Sequence, residues 1–363
     1  MKNKLFKIIL LVSLLVSSCM QDSDIWRPDI DWWHIPTGGV FIINEGNFTY
    51  NNASLSFYDI TTWEVKNDIF FNTNALPLGD VATSMTIRDS LGYIVLNNSG
   101  KINIININTF KYEGKITGLT SPRRIHFISD NKAYVSDLYE TSIAVIDPVS
   151  REITGHIDLS NNQDDFNQHT AEEMVKYGRF IFTNSWSYDN KILVIDSNTD
   201  QLVDSIEVLI QPRSMVIDKF NKIWVITDGG YPGSPYGYEA PGLLRIDAES
   251  RVVEKIWRFE LGDYPGELEL NGRKDTLYFI NTDIYRHPVY SEDDPEIFIE
   301  SHNPGGFYGL GFDPNTSELY ISDALDYVQR GLVYRYNLKG EPRDTLRAGI
   351  IPSSFCFKKT VLQ

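Results

Sequence analysis

Two cysteines in 363 residues are too few for a disulfide scaffold or for a zinc site built from thiolates. Basic residues are outnumbered: 33 Lys and Arg stand against 49 Asp and Glu, a formal charge of −16. No Lys/Arg cluster interrupts that balance, so phosphate backbones are repelled and nucleic acid is excluded as a partner. Histidine is rare as well. The six copies (His34, His126, His156, His169, His287 and His302) include no pair at a metal-ligand spacing. There is no G-x-S-x-G, H-E-x-x-H or phosphate-loop motif. His169 beside Glu172 and Glu173 is the nearest approach to a catalytic or metal site. The run Glu292-Asp293-Asp294 lacks the spacing and glycine of a calcium loop. With no catalytic residue, metal ligand or cofactor motif, the chain reads as a binding protein and not an enzyme. Low-complexity tracts are missing too, and 42 % hydrophobic and 13 % aromatic residues exceed what disorder tolerates.

Only the N-terminus carries a long apolar run. Lys2, Lys4 and Lys7 precede or interrupt a stretch from Leu5 to Val16 that is too short to span a bilayer and reads as a signal peptide over residues 1–18. Its end, Leu15-Val16-Ser17-Ser18-Cys19, resembles a bacterial lipobox. That resemblance implies lipidation of Cys19 and a membrane anchor made effectively permanent by its acyl chains. Residues 19–38 form a tether that starts Met20-Gln21-Asp22-Ser23-Asp24 and carries Trp26, Trp32 and Trp33. The acidic start is similar to that of surface-exported lipoproteins of some Gram-negative bacteria, which implies outer-membrane attachment facing the exterior.

From residue 39 to 363 a repeat takes over. A short apolar segment ending in Asn or Asp recurs seven times: Phe41–Asn44, Ile94–Asn97, Tyr134–Asp137, Ile181–Asn184, Val225–Asp228, Phe279–Asn281 and Tyr320–Asp323. After a variable loop, a second strand-like run follows. Copies are Ser54–Asp59, Ile102–Asn106, Ile143–Asp147, Ile192–Asp196 and Leu243–Asp247, with weaker ones near Ile297–Glu300 and Leu332–Asn337. The six steps from Asp59 to Asn337 average about 46 residues, the length of a four-stranded propeller blade. A proline recurs in phase, at Pro122, Pro212, Pro265, Pro304 and Pro352, where it starts a turn toward the axis. Helical patterning is nearly absent; the best stretch is His169–Tyr177. The pattern predicts an all-β, seven-bladed β-propeller of four-stranded antiparallel blades. Phe355-Cys356-Phe357 supplies the innermost strand that the first blade lacks, so the ring closes and Cys356 is buried and inert. A six-bladed ring and a stacked β solenoid are the alternatives.

With strands lettered A to D from axis to rim, the B–C loops and the D-to-A links share one face. The predicted B–C loops are Glu45–Ala53, Leu138–Ser142, Ser185–Lys191, Gly229–Gly242, Thr282–Glu296 and Ala324–Gly331. They hold Phe48, Tyr50, Tyr139, Trp186, Tyr188, Tyr231, Tyr236, Tyr238, Tyr285, Tyr290 and Tyr327. Aromatics in such number on loops mark a binding surface. Beneath them lies a ring of Asn44, Asn97, Asp137, Asn184, Asp228, Asn281 and Asp323, which either binds ligand or caps strand ends. Arg124 and Arg213 follow the proline at the mouth of the axis and can donate to amides, carboxylates or phosphates.

The repeats Tyr134–Asp147 (YVSDLYETSIAVID) and Phe182–Asp196 (FTNSWSYDNKILVID), each followed by a proline turn, resemble the YncE / surface-layer propeller family over residues 39–359. Together with the lipobox, tether and aromatic loops, they resemble its BtuG-type branch of surface lipoproteins. The resemblance implies capture of cobalamin or a related corrinoid and transfer to an outer-membrane TonB-dependent transporter. A metal-dependent propeller enzyme of lactonase or lyase type, and a surface propeller binding protein or glycan, are the other readings.

Overall fold

Short Val-, Ile- and aromatic-rich runs bounded by turn residues favour strands, and strands are what they form. The computed structural model describes residues 38–160, 169–302 and 305–359; the signal segment, Cys19, the tether tryptophans and Pro304 lie outside them. Seven four-stranded antiparallel sheets are described, and each is a propeller blade. The recurring Asn/Asp-terminated segment is strand B of every blade. Pro122, Pro212 and Pro352 each open an innermost strand, a position where a missing N–H is tolerated.

Strand C ends in the same device in blade after blade. The side-chain oxygen of Asp59 accepts from Thr61 N at 2.8 Å, that of Asn106 from Asn108 N at 2.9 Å, and that of Asp147 from Val149 N at 2.8 Å. Four residues after each of these, Trp63, Phe110 and Arg151 adopt left-handed φ of 62°, 57° and 64°. Their amides donate back to the Asp or Asn carbonyl at 2.8–2.9 Å. This Asx-capped turn leads into strand D. The C–D pairing then slips at matching places, Ile104/Ile105, Val145/Ile146, Val194/Ile195 and Arg245/Ile246, a bulge that adds twist at the rim.

Apolar residues of neighbouring blades pack face to face. One cluster joins Tyr93, Val95, Ile102 and Ile104 of the second blade to Ile125, Val135 and Ile146 of the third. The ring closes through the chain ends: Pro352–Lys358 pairs with Gly39–Asn44, with Phe41 opposite Cys356. Burial pushes the Cys356 thiol up to about 12. Phe41 is fully buried and meets Phe57 and Phe110 at centroid distances of 4.8 and 5.8 Å.

Two expectations are corrected. His169–Tyr177 is not a helix, since Met174–Tyr177 is the innermost strand of the fourth blade. Its helix-favouring Ala-Glu-Glu-Met sequence is overridden by pairing with Phe180–Thr183. The short helix among the described residues is Ile69–Asn74. In the sixth blade, strand C is Asp283–Pro288, and Glu296–Ile299 is the outer strand. Tyr285 therefore belongs to a strand, stacked on Phe279 at 5.4 Å, and not to a B–C loop. Tyr290 and Glu292-Asp293-Asp294 fall in a C–D connection on the opposite face.

His287, in the same strand, is fully buried with neither ring nitrogen hydrogen-bonded. It sits edge-on to Trp224 and Trp257 at 5.5 and 4.9 Å. Burial, aided by Lys255 and Arg245, pulls its pKa down to about 4.

Two measurements check this account. Phe41→Ala should cost about 3–5 kcal/mol in urea unfolding, as a core residue of the closing seam. A histidine whose folded pKa is depressed contributes stability above its unfolded pKa of about 6.5 and loses it as pH falls toward 4. His287→Leu should therefore lose less stability than the parent between pH 6.5 and 4, by up to roughly 3 kcal/mol, read as the change in urea midpoint with pH.

Candidate ligand-binding face

The B–C loops of blades one, three, four, five and seven emerge on one face, as do the links from each D strand to the next A strand. Phe48, Tyr50, Tyr139, Tyr188, Tyr231, Tyr236 and Tyr327 are exposed there, from 38 % for Tyr236 to 75 % for Tyr50. Neighbouring loops hold one another. Tyr188 of blade four and Tyr236 of blade five lie 4.8 Å apart. Asn47 Nδ2 donates to the Tyr327 carbonyl at 2.7 Å, tying the first blade to the last. Trp186 is half-buried and donates Nε1–H to Asp228 Oδ2 at 2.7 Å. Tyr264 and Tyr308, on two of the links, add to the same face.

The Asn/Asp ring sits beneath these loops, with its polar atoms engaged inside the fold. Asn44 Nδ2 donates to Ser56 Oγ at 2.9 Å and its Oδ1 accepts from Gly349 N at 2.9 Å. Asn97 donates to Ser121 Oγ at 2.7 Å. Asp137 accepts from the Ser121, Tyr139 and Glu140 amides. Asn184 bridges Glu173 N and the Pro212 carbonyl at 2.8 and 2.7 Å. Asn281 donates to Asp263, and Asp323 accepts from Leu325 N. Asn97 and Asn184 thus stitch the end of one blade's strand B to the next blade, while Asp137 ties its own B–C loop to the link that enters its blade, work that a buried amide or carboxylate does well.

At the mouth of the axis the structure assembles a charged throat that joins Arg124 and Arg213 to Glu172 and Glu173, which the sequence groups with His169. Arg123 Nε donates to Glu172 Oε2 at 2.7 Å. Arg124 reaches the Thr83 carbonyl at 2.9 Å and Glu173 at 3.4 Å. Glu173 also accepts from Met215 N and Ser214 Oγ at 2.7 and 3.0 Å. Arg213 lies over the Tyr264 ring at 4.6 Å. Tyr308 donates to Glu45 at 3.0 Å. Glu267 and Glu269 complete the set from the strand Gly266–Leu270. Five carboxyl groups face three guanidiniums, and the imbalance shows in their acidities. Burial raises Glu45 and Glu267. Burial, with repulsion from Glu173 and Glu267, raises Glu269 to about 8. The signal was in the sequence: Pro122-Arg123-Arg124, Glu172-Glu173 and Pro265-Gly266-Glu267-Leu268-Glu269 place charges at the same blade position. His169 stands apart from this throat, bonded to Asp189 through Nδ1 and through its amide at 3.1 Å.

The throat opens into an axial cavity of about 230 Å³ lined by Arg124, Glu173, Met174, Met215, Leu268 and Glu269 among others. Among the described residues, no group of three or more His, Cys, Asp or Glu is placed to hold a metal ion.

Residues 38–348 match the family described as a domain of unknown function, DUF5074. The chain belongs to that family. No curated protein matches it significantly. Among solved structures, the chain is similar to a quinonprotein alcohol dehydrogenase-like protein from Bacteroides thetaiotaomicron, with 15 % identity over 89 % of this chain and 78 % of the other, at a TM-score of 0.67. It is similar to a protein from Lactobacillus plantarum, with 11 % identity, 89 % and 99 % coverage and a TM-score of 0.65. It is also similar to hydrazine synthase of Kuenenia stuttgartiensis, with 15 % identity, 75 % and 88 % coverage and a TM-score of 0.61. At such identities the likeness shows the fold alone. The DUF5074 chain is thus a seven-bladed propeller, a fold that hosts many unrelated functions.

The throat gives a direct test. Arg123→Ala leaves Glu172 buried without its cation and should destabilise the DUF5074 propeller by about 3–5 kcal/mol. Adding Glu172→Gln should restore at least about 1 kcal/mol of that, measured by chemical unfolding as a double-mutant cycle.

Proposed function

We propose that this protein is a lipid-anchored surface protein of the outer membrane that binds cobalamin or a related corrinoid on its B–C face. In this reading it acts by binding, without catalysis, and passes the ligand to an outer-membrane TonB-dependent transporter. One observation carries the reading: seven of the predicted aromatics, from five separate loops, emerge together, exposed, on one face above a polar throat.

The chemistry is complementary. A corrinoid is broad, with apolar ring faces and a fringe of amides. Tyrosine rings supply stacking area, and their hydroxyls reach amides. The guanidiniums and the high-pKa carboxyl groups of the throat supply donors at the centre. A ligand that is nearly neutral overall is compatible with the acidic chain. The resemblance to cobalamin-capturing surface propellers and the lipobox at Cys19 support the same reading.

Calorimetric titration of cyanocobalamin into protein beginning after Cys19 should give saturable heat at micromolar concentrations; absence of heat there sinks the proposal. The paired change Tyr188→Ala with Tyr236→Ala should weaken binding at least tenfold, about 1.4 kcal/mol, while leaving the thermal melt within a few degrees.

A further inference from the structure

A cavity of about 650 Å³ opens on the face opposite the aromatic loops, between blades six and seven, within the range of small-molecule sites. It adjoins a cavity of about 360 Å³, with which it shares Asn271, Gly272, Phe312 and Pro314, and that cavity in turn shares Met215, Val216 and Glu269 with the axial cavity.

Its walls are built and not incidental. Tyr278 and Phe312, both nearly buried, stack at 5.8 Å with 20° between their planes. Tyr278 lines the cavity, and its hydroxyl has no hydrogen-bond partner among the described residues. The adjoining A–B turn is rigid. Asn271 Oδ1 accepts from the Asp275 and Thr276 amides, its Nδ2 donates to Asp275 Oδ1 at 2.8 Å, and Lys274 N donates to its carbonyl at 2.8 Å. A Cβ on Gly272 would sit 3.2 Å from the Pro314 backbone, so glycine lets this turn lie against blade seven.

The charges decide what the cavity takes. Four charged side chains line it. Glu296 is paired with Arg286 at 2.7 Å, and Asp275 with Lys219 at 3.2 Å. Arg273, at the apex of the rigid turn, has no counter-ion among the described residues. An aromatic wall, with a phenol and a guanidinium that have no partner among the described residues, describes a site for a flat ring bearing a single negative charge.

We infer that the cleft between blades six and seven is a second ligand site, which takes a planar aromatic monoanion with its acid group on Arg273 and the Tyr278 hydroxyl. It is separate from the proposed corrinoid site and stands or falls on its own. The probe is 8-anilinonaphthalene-1-sulfonate, a flat aromatic with one sulfonate whose fluorescence rises when it is bound out of water. Titration into protein beginning after Cys19 should show one saturable site. Arg273→Gln should weaken it five- to tenfold. Leu338→Trp, which fills the mouth from a surface position, should abolish it, and both variants should keep the parent's melt. The uncharged N-phenyl-1-naphthylamine should bind more weakly than the sulfonate and be indifferent to Arg273→Gln. Binding of the sulfonate that both variants leave unchanged, or no saturable binding, overturns the inference. Tyr188→Ala with Tyr236→Ala should leave this site intact, so loss of corrinoid binding and loss of this site are read independently.

Discussion

Everything on the two faces depends on six residue pairings between the strand at Gly39–Asn44 and the one at Pro352–Lys358. Each blade is only four strands wide and buries its faces against its neighbours, so an open ring would leave two sheets uncovered. The closing strand is also the innermost strand of its blade, which sets its residues at the axis beside those of the other six. Closure therefore covers the last apolar surfaces and fixes the throat at the same time. The seam is reinforced from outside the ladder: Asn44 accepts from Gly349, and Asn47 holds Tyr327.

The throat is a consequence of that convergence. Innermost strands begin near the axis, so a charged residue at the start of one meets charged residues from the others. Burial there penalises an unpaired charge. Arg123 with Glu172 and Arg124 with Glu173 follow this rule. Glu267 and Glu269 are left with fewer cations than carboxylates, and their acidities rise in response. The outer part of the face obeys different physics. Its loops are freed from the ladder, and they hold aromatic rings in water against the usual preference.

The two cavity systems divide along the same line. The aromatic face is broad and built from loops. The cleft between blades six and seven is built from strands and tight turns, with Asp275, Arg286 and Glu296 held in ion pairs. A single propeller thus has two faces of different chemistry.

The repeat of apolar strand, variable loop and Asp-ended strand determined the blade number, the closing strand and the face on which Phe48, Tyr50, Tyr139, Tyr188, Tyr231, Tyr236 and Tyr327 emerge. That is because strand alternation and turn chemistry are local and survive in one dimension. The sixth blade escaped it: Asp283–Pro288 carries Arg286, His287 and Pro288, and it is a strand because Trp224 and Trp257 of the preceding blade bury His287. The Ala-Glu-Glu-Met stretch misled in the same way, since its glutamates answer to arginines 49 residues away. Whether an Asn or Asp at a strand end is spent on the fold or offered to a ligand was decided only in three dimensions. Asn44, Asn97 and Asn184 find partners in another blade that no spacing along the chain records, whereas Asp137 and Asp323 cap their own loops.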